Sequence, residues 1–304
     1  MRRRRPASGG PPARKGSAPT VFVVGAGRLG SALVRGLRAV GIPVLGAWTR
    51  TPGRRAAGLV RATSGPLPAS VAGATLVLLA VPDRAIAATA AALAPLLRPG
   101  QVAAHCAGAL DLAPLAPLAR LGLEVGSLHP LVAAAPGPVQ LVGRSAAVDG
   151  SPRAVALLSR VARSLGMVPL HVPSTERTRY HAAASLAANG LVSLADLAVE
   201  LFASTGVPRK RALEALLPLL ASSLEGLSSA GLPAALTGPV ARGDAAVVER
   251  HLAALAGGPA EPAYRALALR AVALAKAQGR ADPAGLRRIA ALLRPARPRR
   301  RSKR

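Results

Sequence analysis

The chain has 304 residues, half of them apolar, and 40 basic against 13 acidic groups give it a formal charge of +27. That length suffices for two domains with a sizeable core, and the single cysteine, Cys106, excludes an intramolecular disulfide or a thiolate metal cluster. Residues 1–15 hold six of the basic groups and 294–304 hold seven, which leaves 27 bases against 13 acids between them.

The charge therefore does not point to a nucleic-acid-binding body. Segments 1–18 and 294–304 are read as disordered basic tails, whose contact with polyanions would be non-specific. The body has too few aromatics to stack bases. No apolar run is read as approaching the roughly 20 residues of a membrane span. The arginines at the start run into Pro, Gly and Ser rather than an apolar stretch. A cytoplasmic chain without membrane contact is expected.

In chain order, Val21-Phe-Val-Val24 reads as a strand that drops into Gly25-Ala26-Gly27-Arg28-Leu29-Gly30 and then an amphipathic helix to about Val40. Strand, G-x-G-x-x-G and helix together form a dinucleotide-binding fingerprint. Gly25 serves the tight turn, Gly27 the approach of a pyrophosphate and Gly30 the closure of helix on strand. The helix start, with its free N–H groups and positive dipole end, faces the phosphates. A second strand, Pro43 to Trp48, leads into Thr49-Arg50-Thr51-Pro-Gly-Arg54-Arg55. NAD-preferring folds place a carboxylate here; this chain offers hydroxyls and guanidinium groups. Thr49, Arg50 and Arg54 are therefore assigned to a 2′-phosphate, and the cofactor is read as NADP.

Ala74 to Val81 reads as a central strand, apolar on both faces, ending at Val81-Pro82-Asp83 beside the expected nicotinamide. Asp83 is placed to cap the helix that follows. Further strands are expected at Gln101 to His105, Leu123 to Ser127, Leu141 to Val148 and Met167 to Val172, with a helix from Pro152 to Leu165. His105 and His129 are expected in loops at strand ends, where ligands of open α/β sheets bind. From Thr175 the pattern is helical: one helix to about Ser204, then 209–229, 245–256, 260–278 and 283–293. On the first, His181, Ser185 and Asn189 share one polar face. The fold class is α/β: a doubly wound, mostly parallel Rossmann domain over 19–172, then an all-α domain over 173–293. No metal site is expected.

Six segments together carry a resemblance. They are Gly25–Gly30, Ala80-Val-Pro-Asp83, His105-Cys-Ala-Gly-Ala109, Ser127-Leu-His-Pro-Leu131, Tyr180-His-Ala-Ala-Ala184 with Asn189, and Leu236-Thr-Gly-Pro-Val-Ala-Arg-Gly-Asp244. Through them the chain resembles bacterial Rossmann-like proteins whose C-terminal helical half is a domain of unknown function. That group is similar in plan to pyrroline-carboxylate reductase, ketopantoate reductase and the β-hydroxyacid dehydrogenases. The resemblance implies an NADP(H)-dependent oxidoreductase that reduces a C=O or C=N bond of a small acid, and it implies a homodimer. His129 or His181 would protonate the substrate heteroatom, with Ser127 and Asn189 orienting the substrate. Arg242 is a further candidate for a substrate carboxylate.

Two positions depart from the pattern: Ser185 stands where the β-hydroxyacid dehydrogenases carry a lysine, and Ala107 where a serine is usual. The missing lysine keeps open an alternative, a non-catalytic NADP-binding sensor or scaffold.

Overall fold

The computed structural model describes residues 18–50, 62–133 and 137–294. Arg54 and nearly all of both terminal tails lie outside the described residues.

Among the described residues, eight strands form one sheet: β1 (Val21–Val24), β2 (Val44–Trp48), β3 (Ala62–Thr63), β4 (Leu76–Leu79), β5 (Val102–His105), β6 (Glu124–Pro130), β7 (Ser145–Gly150) and β8 (Val168–His171). Their spatial order is β3-β2-β1-β4-β5-β6-β7-β8. Every neighbouring pair is parallel except β6 with β7. The first six strands therefore follow the doubly wound order of a dinucleotide-binding sheet. β3, only two residues long, has no counterpart in the sequence reading.

The strands at the centre are apolar throughout because both faces are covered. On one face, Val21, Val23, Leu76 and Leu78 pack with α1 (Arg28–Ala39) and α4 (Pro152–Ser164). On the other, Phe22, Val24, Val77 and Leu79 pack with α2 (Ile86–Leu93) and α3 (Ala116–Arg120). Leu33 and Leu37 of α1 are fully buried, each stabilising the fold by about 1.5–3 kcal/mol relative to exposure. Ser151 caps α4 by accepting the Ala154 N–H, with Pro152 at the first helical position.

Beyond β8 the chain is helical: α5 (Arg177–Ala203), α6 (Arg209–Ala230), α7 (Gly238–Arg242), α8 (Ala245–Leu255), α9 (Glu261–Gln278) and α10 (Pro283–Leu293). The chain divides into two compact units, residues 1–188 and 189–304, and the break falls inside α5. The second unit has its own core, in which Val240, Val248, Leu252, Val272 and Ile289 meet.

One expectation is corrected by α5. The helical segment Ser174–Ala203 is long and apolar enough to cross a membrane, with a window of mean hydropathy 1.5. Only 6% of that window is buried.

Candidate functional site

The glycine turn joins β1 to α1 through close backbone contacts. Gly25 has φ +114°, and a Cβ there would lie 2.3 Å from the Ala80 carbonyl oxygen. A Cβ on Gly30 would lie 1.8 Å from the Gly25 carbonyl oxygen. Both glycines are thus demanded by the fold itself. Gly27 differs: a Cβ there would meet nothing within 4 Å. It caps α1 with no side-chain hydrogen bond, so the open space lies at the positive end of a 12-residue helix. Gly27 thus keeps a cradle clear at the place where the fingerprint puts a pyrophosphate.

A cleft of about 600 Å³ opens from this turn, lined by Gly25, Ala26 and Gly27, by Trp48 to Arg50, by Gly65 to Leu67 and by Ala80 to Pro82. No carboxylate lines it among the described residues. Thr49 is buried and its N–H donates to the Thr63 carbonyl, while Arg50 is exposed at the rim. Arg28 stands exposed on the first turn of α1, and Leu29 packs against the core beneath. Val81 and Pro82 line the cleft; Asp83 is exposed in a short turn before α2. No side chain caps α2, so the capping role read for Asp83 is not seen.

The second constellation grows from the adjoining strand ends. His105 closes β5 with no exposed surface, and both ring nitrogens are engaged. The Ala107 N–H donates to Nδ1 at 3.2 Å, so Nε2–H donates to the Asp111 carbonyl at 2.9 Å. Burial holds its pKa below the usual imidazole value. This histidine shapes the loop that follows it. Cys106 is also buried, its thiol pushed up to about 12, which leaves it without thiolate character.

His129 lies inside β6 rather than in a loop, because β6 runs on to Pro130. Alternation along the strand turns Leu128 into the core under α1 and α4, and Ser127 and His129 to the opposite face. Pairing aligns His105 with Ser127 and Ser127 with Asp149, a polar row across three strands.

The first turn of α5 meets that row. Nδ1 of His129 is 2.9 Å from the Tyr180 hydroxyl, and the two rings meet edge-on. The His181 ring centroid is 6.0 Å from that of His129. Gly108 permits this convergence, since a Cβ on it would lie 2.4 Å from His181 Cδ2 and 2.8 Å from His129 Nε2. Burial, then the Arg177 and His181 charges, lower the His129 pKa to about 4. His129 is therefore neutral near pH 7, able to donate from one nitrogen and accept at the other.

Ser127, His129 and His181 thus come together, with Tyr180 as a partner. Asn189 is two turns beyond His181 on α5, about 12 Å along the axis, and falls in the second unit. Sequence reasoning missed Arg177. Among the described residues it is the largest fully buried side chain, its Nη2 donates to Ser127 Oγ, and its guanidinium carbon is 5.9 Å from the Tyr180 ring centre.

The Leu236–Asp244 motif has a local structural account. Gly243 ends α7 in the left-handed conformation, and Asp244 caps α8 by accepting the Val247 N–H. Gly285 packs so close that a Cβ on it would lie 2.1 Å from the Gly243 carbonyl oxygen. Among the described residues no group of His, Cys, Asp and Glu could hold a metal ion.

Comparison with known proteins agrees with this architecture. Residues 9–130 match a Rossmann-like domain, and residues 145–271 match a domain of unknown function (DUF2520). A protein from Thermotoga maritima is 22% identical, with TM-score 0.67 over 86% of this chain and 100% of that one. A Bacteroides fragilis protein provisionally named an NADP oxidoreductase is also 22% identical, with TM-score 0.62 over 86% and 97%. Pyrroline carboxylate reductase of Plasmodium falciparum with NADP bound is 11% identical, with TM-score 0.56 over 86% and 97%. No curated protein matches the chain in sequence.

Proposed function

For a chain that joins a Rossmann-like domain to a DUF2520 domain, we propose an NADP(H)-dependent oxidoreductase that reduces a C=O or C=N bond of a small acid in the cytoplasm. The observation that carries it is the clear space over Gly27, between two glycines that backbone contacts make obligatory, opening into a cleft that no acid lines among the described residues. Arg50, with Arg54 from outside the described residues, would take the 2′-phosphate, and Thr49 would shape the pocket beside it. The bound cofactor supplies the hydride.

The chain's own residues supply a proton. The cleft wall at Ala80 to Pro82 and the loop after His105 leave neighbouring strand ends, joined by the Cys106 N–H on the Leu79 carbonyl. The His129 and His181 rings meet over that loop at Gly108. With the Tyr180 hydroxyl on Nδ1, His129 presents Nε2–H to the reduced heteroatom. As Nε2 gives up its proton, Nδ1 takes the phenol's, and because burial raises the Tyr180 pKa the phenol promptly regains a proton from solvent. Ser127 and His181 are assigned to orienting the substrate.

NADPH consumption against a panel of 2-oxo acids and cyclic imines tests this. Turnover that His129→Gln abolishes supports the assignment. Binding of NADPH with no turnover across the panel favours a sensor or scaffold, the reading that Ser185 in place of lysine supports.

The same reading pairs two copies of the chain. Leu186 and Val192 on α5 are 76% and 70% exposed, and Leu219 on α6 is 62% exposed. We assign these exposed apolar side chains to contact with a second copy of the chain.

A further inference from the structure

We infer that Arg177 is a carboxylate anchor: its buried guanidinium, steadied by Ser127, takes the acid group of the substrate beside His129. This deepens the proposed function and rests on its reading of the histidine cluster as the substrate site.

Arg177 opens α5 and is 1% exposed. Of its three nitrogens, Nη2 donates to Ser127 Oγ, and among the described residues Nε and Nη1 have no acceptor. Unpaired donors on a buried cation are destabilising, more so than on a neutral group. Asp149, the acid whose charge reaches the guanidinium, does not relieve them. Asp149 lies across from Ser127 on β7, and its Oδ1 is 3.2 Å from His171 Nε2. Its charge draws the guanidinium toward the protonated form, but burial pulls harder the other way.

Among the described residues, Asp149 is the one carboxylate whose charge bears on the guanidinium. His105 and His129 are kept neutral, and Tyr180 presents its ring. A guanidinium with open N–H positions matches the planar pair of oxygens of a carboxylate. One guanidinium, with no lysine beside it, suits a single negative charge better than a phosphate dianion. Ser127 and His129 stand two residues apart on the same face of β6, so an acid held at Arg177 places its neighbouring carbon beside His129. Because the guanidinium is covered, entry must open a path beside the Tyr180 ring, and affinity for fragments should be weak.

The test titrates propionate, propionamide and inorganic phosphate into the full chain, and follows the His129 imidazole resonances by NMR. NADPH affinity is measured on the same samples. Propionate should shift His129 saturably, while propionamide and phosphate should not. Arg177→Gln should weaken the propionate response at least tenfold and leave NADPH affinity within twofold. An equal response to propionamide or phosphate overturns the anchor. So does no response in the wild type, or an undiminished one in Arg177→Gln. Should that variant fail to fold, Ser127→Ala decides: severalfold weaker propionate binding is expected, and unchanged binding overturns the proposal. Loss of NADPH binding with the propionate response intact would instead sink the redox reading and spare the anchor.

Discussion

His129 on β6 and Tyr180 on α5 are joined by a 2.9 Å contact between Nδ1 and the phenol oxygen, across 51 residues of sequence. That one bond fixes which imidazole nitrogen is left to act. Tyr180→Phe keeps the ring and removes the hydroxyl. We expect a stability loss of about 1 kcal/mol and a fall in kcat within the ~10²–10⁴-fold range of lost general acid catalysis. The KM for NADPH should stay within twofold. Steady-state kinetics and chemical denaturation of the variant check both.

His129 also sets a pH dependence. Unfolded, its imidazole takes a proton near pH 6.5; folded, burial defers this to about 4. The unfolded chain therefore binds more protons between those values, and stability rises with pH. It is fully present above 6.5 and is lost as pH falls toward 4, by on the order of 3 kcal/mol for this group. His105 shifts in the same direction. Denaturation of the wild type and His129→Gln between pH 7 and 4.5 should show a shallower slope in the variant. Equal slopes would contradict the burial account.

The glycine turn separates fold from ligand. Gly30→Ala places a methyl 1.8 Å from the Gly25 carbonyl oxygen, so the variant should lose cooperative unfolding or melt far below the wild type. Gly27→Ala meets nothing, and φ at that residue is −72°. It should fold with unchanged stability yet bind NADPH at least tenfold more weakly. Thermal melting and fluorescence titration distinguish the two.

Much of this was legible in the sequence, for physical reasons particular to each element. Gly25-Ala-Gly27-Arg-Leu-Gly30 announced itself because close backbone approach admits only glycine. β4 announced itself because a strand covered on both faces has no polar break. The extension of β6 to Pro130 is written in the alternation of Ser127, Leu128 and His129, although the sequence reading ends that strand at Ser127. β3 was too short for any periodicity. Arg177 left no signal: it is one of 36 arginines, and only the placement of β6 against α5 buries it. In the Leu236–Asp244 motif the sequence already marked Asp244 as a helix cap, and the structure shows it accepting the Val247 N–H.

The α5 and α6 leucines give a prediction about assembly. Light scattering should report a two-chain mass for the purified protein without detergent. Leu186→Glu with Val192→Glu should reduce it to one chain. A monomeric wild type, or a protein that stays in solution only with detergent, would contradict a second copy as the cover.

The central claim is a nucleotide held by the Gly25–Gly30 turn and the arginines after β2. Calorimetric titration of NADPH and NADH into the full chain tests it most directly. NADPH should bind, with NADH weaker on the order of 10–100-fold for one charge-assisted contact, and Arg50→Ala should narrow that gap. No uptake of either nucleotide by the folded protein would contradict the account.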